Sequence, residues 1–121
     1  MQVHRFPRQT TPYALDLTPA CDVNGQTVVS GIAHWSQGSR SPEQGMRCSA
    51  EHEFIYLVRG RLTVETPAGL QQVQAGDLVT FSPSVLHSAV ALEDSDVYFV
   101  LINPLSEAAK AAQGEANRGT Q

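Results

Sequence analysis

The sequence predicts an all-β fold, a sandwich or barrel built from short strands. Three observations carry that expectation. Nine glycines and seven prolines in 121 residues imply frequent turns. Strand-length apolar stretches recur at intervals of about 8–12 residues, with turn chemistry between them. A composition of 41% hydrophobic and 17% charged residues supplies one buried core and excludes a wholly disordered chain. The length suits a single domain.

Each element follows from its local residues. Residues 1–12 hold Pro7 and Pro12 and few apolar side chains, and they read as an arm ahead of one domain over 13–105. A first strand is expected over 13–17. Val23-Asn24-Gly25-Gln26 carries the Asn-Gly signature of a tight hairpin, and a strand over 27–35 follows. Residues 36–45 are a Ser/Gly/Pro loop. The regular middle begins with a strand over 53–58, closed by Arg59-Gly60-Arg61. Strands over 62–65 and 70–74 flank the turn Thr66-Pro67-Ala68-Gly69. After Ala75-Gly76-Asp77 comes a strand over 78–81, and then the turn Ser82-Pro83-Ser84. Strands over 87–92 and 97–102 complete the set, separated by Glu93-Asp94-Ser95-Asp96. Beyond Pro104, Ser106 caps an expected short helix over 106–113, with Ala108, Ala109 and Ala112 available for docking. Residues 114–121 form a polar tail.

Charge and cysteine usage narrow the partners. A net charge of −4 and a pI near 5.4 argue against a sequence-independent grip on nucleic acid. The longest strongly apolar run, 97–102, is far below the roughly 20 residues a membrane-spanning helix needs. The first residues lack the apolar block of a secretory signal, so a cytoplasmic location is expected. Cys21 and Cys48 are then expected as free thiols.

Two stretches bear a closer resemblance. Glu53 stands seven residues before Gly60, and His87 stands eleven residues after Gly76. These spacings, and the strand pattern around them, resemble the cupin family, whose two motifs lie on a small jelly-roll barrel. Ser82 and Ser84 replace that pattern's Pro and Gly, Pro83 keeps the turn, and Ala91 stands where the terminal Asn belongs. The resemblance implies a cupin jelly roll with a short C-terminal helix appended. It also implies a transition metal (Fe, Mn, Ni or Zn) held by two histidines one residue apart, the motif Glu and the closing His. Here the histidine pair is replaced. One spacing ahead of Glu53 places Met46 and Cys48 at those positions, and the other places Arg47 and Ser49.

The candidate site therefore centres on Glu53 and His87, either as an acid–base pair or as metal ligands. Cys48 and His34 are the candidate substitute ligands, and the bland alternatives are a small buried filler and a satisfied core histidine. Ile55, Leu57, Phe81 and Trp35 are expected to line a pocket for a small organic molecule. His52 is expected to face outward, and Arg59 and Arg61 to occupy a solvated turn or to meet an anionic substrate. Phe54, Tyr56 and Val58 make the opposite face of the same strand apolar, which asks for cover by a partner subunit. A homodimer is expected, and the resemblance agrees. The string from Glu53 to Gly60 resembles small cupins of polyketide biosynthesis, which implies cyclase, isomerase, lyase or dioxygenase chemistry. The alternative is a non-catalytic binding or sensory module without metal, like the cupin sensor portion of arabinose-type regulators.

Overall fold

A computed structural model describes residues 1–6 and 13–103, and within β1 it describes the backbone of residues 13–16. Ten strands follow one another: β1 (Tyr13–Leu17), β2 (Cys21–Val23), β3 (Gln26–Trp35), β4 (Arg40–Ser41), β5 (His52–Arg59), β6 (Arg61–Thr66), β7 (Gly69–Gln74), β8 (Leu78–Phe81), β9 (Ser88–Ala91) and β10 (Ser95–Ile102). They form two facing sheets. A six-stranded sheet runs β1-β3-β10-β5-β8 with β2 paired to β3, and a four-stranded sheet runs β4-β9-β6-β7. Every pairing is antiparallel. The described residues are all-β, as the sequence predicts, and the expected helix over 106–113 lies outside them. No helix among the described residues is long and apolar enough to cross a membrane.

Local chemistry explains the turns. Asn24 and Gly25 both adopt positive φ, 53° and 82°, which is the backbone a two-residue hairpin needs to match strand twist. Gly60, at φ 97°, joins β5 to β6 and so links the two sheets. A Cβ there would lie 2.5 Å from the Asp94 carbonyl oxygen and 2.7 Å from the Ser95 Cα. The position tolerates glycine because two backbones meet there.

Two expectations are refined. The loop over 36–45 contains the two-residue strand β4, paired with β9. The strand expected from residue 87 begins at Ser88, and His87 instead forms an isolated antiparallel bridge with Arg47.

Strand alternation sorts the side chains. On β5, Glu53 is 5% exposed and Leu57 1%, whereas Phe54, Tyr56 and Val58 face outward and are exposed. Neighbouring strands align on the inner face, with Glu53 opposite Phe81 on β8 and Leu101 on β10. A β-bulge interrupts the β10–β5 ladder between Asp96 and Val97. Without it Arg59 would follow Glu53, Ile55 and Leu57 onto the inner face. The bulge instead pairs it with Asp96, which pairs on its other side with His34 of β3.

Candidate active site

The space between the sheets is a cavity of about 230 Å³. Ile55, Val79, Phe99 and Leu101 line it from the larger sheet, and Leu62 and Val64 from the smaller. Glu53 and His87 project into this apolar enclosure, and Arg47 lies on its wall.

Glu53 and His87 are both buried. A carboxylate in such surroundings is costly unless it has partners. Glu53 has two. Its Oε1 accepts a hydrogen bond from the Ser49 hydroxyl at 2.7 Å, and its Oε2 lies 3.6 Å from His87 Nε2. The Ser49 hydroxyl also lies 3.3 Å from the Glu51 carbonyl oxygen. The shorter, carboxylate contact is the stronger of the two.

His87 is fixed on two sides. Its ring stacks on Phe81, with centroids 3.9 Å apart and planes 10° from parallel. Its Nδ1 lies 2.9 Å from the Val85 carbonyl oxygen. A carbonyl only accepts, so Nδ1 carries a hydrogen and the exchangeable position is Nε2, the atom that faces Glu53. The pair can hold one proton between Oε2 and Nε2. At 3.6 Å the two atoms are too far apart for a good direct hydrogen bond. Both are free to address a third atom.

Solved structures resemble this architecture at low sequence identity. An RmlC-like cupin from Shewanella frigidimarina matches with a TM-score of 0.56 at 17% identity, over 72% of this chain and 85% of that one. The fold is that of the cupins. KdgF from a Halomonas species matches with a TM-score of 0.52 at 21% identity, over 75% of this chain and 90% of its own. An HTH_3 family transcriptional regulator from Vibrio cholerae gives a TM-score of 0.60 at 14% identity, over 77% of this chain and 52% of its own. No family model and no curated protein matches the sequence.

Side-chain placement distinguishes the two spacings ahead of Glu53. Arg47 lines the cavity and Ser49 bonds to Glu53, whereas Cys48 between them is exposed. Of the two pairs that the sequence offers, Arg47 and Ser49 are therefore the one whose side chains reach the cavity and Glu53. Cys48 meets neither expectation: it is no candidate ligand here and no buried filler. His34 is also redirected. It is buried on the other side of β3, where its Nδ1 lies 2.7 Å from Asp96 Oδ1. Arg59 Nε donates to Asp96 Oδ2 at 2.6 Å. Burial alone would raise the Asp96 pKa, but the hydrogen bonds from His34 and Arg59 outweigh it and hold the carboxyl below its ordinary 3.8.

A metal is what the cupin resemblance implies, and the donors do not fit one. Glu53 and His87 are two, a guanidinium cannot ligate because it is permanently protonated, and a neutral serine hydroxyl is a poor substitute for imidazole. Among the described residues no group of three or more His, Cys, Asp and Glu side chains converges on one point.

Of the expected pocket residues, Trp35, Ile55 and Phe81 line the cavity. Leu57 does not. It points inward like Ile55 but sits deeper, where its backbone is tied to Gly76 and Asp77, and it belongs to the core. Arg47 and Ser49 are the site residues to which the sequence alone assigned no role. Their signal was the shorter of the two spacings.

Proposed function

We propose that the chain binds a small organic molecule inside its barrel and moves a proton on it, with Glu53 and His87 as the acid–base pair. The supporting observation is a buried carboxylate and a buried imidazole, Oε2 and Nε2 3.6 Å apart, in a largely apolar cavity. With one proton between them, the pair is one acid and one base in either arrangement. The base takes a proton from a substrate carbon next to a carbonyl. The acid returns one at a neighbouring atom, and a proton crossing the gap restores the starting state. This cycle serves isomerisation, cyclisation or elimination and is routed through no metal. Ser49 anchors one carboxylate oxygen so that the other faces the substrate, and the Phe81 stack keeps the imidazole in plane.

The experiment is solvent deuterium exchange. A panel of small ketones and 1,3-dicarbonyl compounds is incubated with the protein in D₂O and followed by mass spectrometry. Wild type is expected to accelerate exchange at the carbon beside the carbonyl, and Glu53→Gln and His87→Ala to lose most of that acceleration while keeping their circular dichroism. Binding without exchange by wild type would replace this reading with that of a non-catalytic binding module, and unchanged exchange in Glu53→Gln would overturn the role of the pair.

A further inference from the structure

We infer that Arg47 is the anion-binding end of this cavity and that its ligand is a small monocarboxylate with an apolar body. The inference rests on the barrel being the ligand site, as proposed above, and does not require that the ligand be turned over.

The backbone fixes where Arg47 points. Arg47 N donates to the His87 carbonyl at 3.0 Å, and His87 N donates to the Arg47 carbonyl at 2.9 Å. Residues that exchange both bonds across an antiparallel pair project their side chains to the same face, from Cα atoms about 5.5 Å apart. The guanidinium therefore shares the cavity with the imidazole. Arg47 is exposed while Glu53 and His87 are buried, which puts the cation at the open end and the pair within.

The charge is left unanswered. Glu53 lines the same cavity, yet Arg47 forms no ion pair with it or with any other acidic side chain among the described residues. Arg59 is paired with Asp96 and Arg61 with Glu93, and Arg40 of β4 donates to the Pro42 and Gly45 carbonyls. The guanidinium is permanently charged, and no carboxylate of the described residues lies within ion-pair distance of it. A single negative charge on the ligand neutralises it.

The form of the cation and of the space narrows the ligand class. A guanidinium presents a planar fork of N–H donors that matches a carboxylate with two parallel hydrogen bonds. The rest of the lining is mostly apolar, Ile55, Val79, Phe99 and Leu101 among it, and its polar groups include Ser41, Glu53 and His87, none of them a second cation. The volume of about 230 Å³ falls below the roughly 300–1,000 Å³ of pockets for drug-sized molecules. With one cationic side chain in the lining, a dianion is disfavoured. A carboxylate on a compact aromatic or branched aliphatic body fits.

Isothermal titration with matched pairs tests this: benzoate against benzamide, phenylacetate against phenylacetamide, and hexanoate against hexanamide. Wild type is expected to bind at least one acid ten-fold or more tightly than its amide. Arg47→Met is expected to abolish that preference while leaving amide affinity within two-fold, and Arg47→Lys to keep part of it. Arg47 is exposed, so these variants are expected to fold, and their melting temperatures check that they do. Absence of binding by every acid, equal affinity for acid and amide in wild type, or a preference that survives Arg47→Met would each overturn the inference. Glu53→Gln separates it from the proton-transfer reading. A preserved carboxylate preference in a variant without exchange activity supports both, and the same preference in a wild type without exchange activity supports the anion site alone.

Discussion

Replacing Gly60 with alanine is expected to cost about 2–4 kcal/mol of stability. Two separate effects contribute. At φ 97° an L-residue carries a conformational penalty of about 1–2 kcal/mol, part of which is offset by the lower entropy of an unfolded chain with one glycine fewer. The added Cβ would also meet the Asp94 carbonyl oxygen at 2.5 Å and the Ser95 Cα at 2.7 Å. Both are backbone atoms, and Ser95 is fully buried. The chain must shift rather than a side chain swing away, which is an overpacking cost of about 1–3 kcal/mol. Gly76 is the internal control. Its φ is 95°, almost the same, and a Cβ there would have no atom within 4 Å. Gly76→Ala therefore carries the conformational penalty alone, about 1 kcal/mol. Urea titrations followed by circular dichroism give both values on one protein. The melting temperature of Gly60→Ala is expected to fall by about 8–20 °C, and that of Gly76→Ala by about 5 °C. Equal losses at the two positions would refute the close approach of the β5–β6 turn to the start of β10.

Two further predictions concern the outer face. Asp96 has a folded pKa below its ordinary 3.8, so its ionised form stabilises the fold above that pH, and the contribution is lost as pH falls through the folded value. Asp96→Asn is expected to cost about 1 kcal/mol near neutral pH and to match wild type once acid has protonated the carboxyl. A loss that persists unchanged in acid, read by urea denaturation, would contradict the role of charge. The homodimer expected from the sequence predicts sedimentation at twice the chain mass, and a shift to monomer with Tyr98→Glu in the exposed stripe of Phe54, Tyr56 and Tyr98. A wild type that sediments as monomer at micromolar concentration would overturn it.

The fold was legible because its punctuation is local. Asn24-Gly25, Gly60 and Gly76 each adopt the positive φ that marks a turn, and β1 and β8 run as the periodicity places them. The site was legible in part. Strand parity puts Glu53 inside, and the spacing from Gly76 puts His87 there as well. Parity says nothing about depth, which is why Leu57 and Ile55 read alike from sequence although one is core and the other faces the cavity. Residues 46–51 defeated the argument for a different reason. Apart from the Arg47 bridge they belong to no strand, so no alternation rule runs through them. Only the through-space pairing of Arg47 with His87 decides which side chains enter. His34 shows the limit of reading single residues, since its partner Asp96 lies 62 positions away.

The place of β10 in the larger sheet has a consequence for synthesis. It is the last strand of the described chain, yet it lies between β3 and β5 and pairs with both along nearly its whole length. A ribosome delivers β3 and β5 well before the strand that joins them. Until residue 102 clears the exit tunnel, each presents an open edge, and Phe99 and Leu101 are missing from the wall opposite Leu62 and Val64. The barrel thus closes late and by sequence-distant contacts, a topology that folds slowly. The nascent chain needs protection from its own kind during that wait.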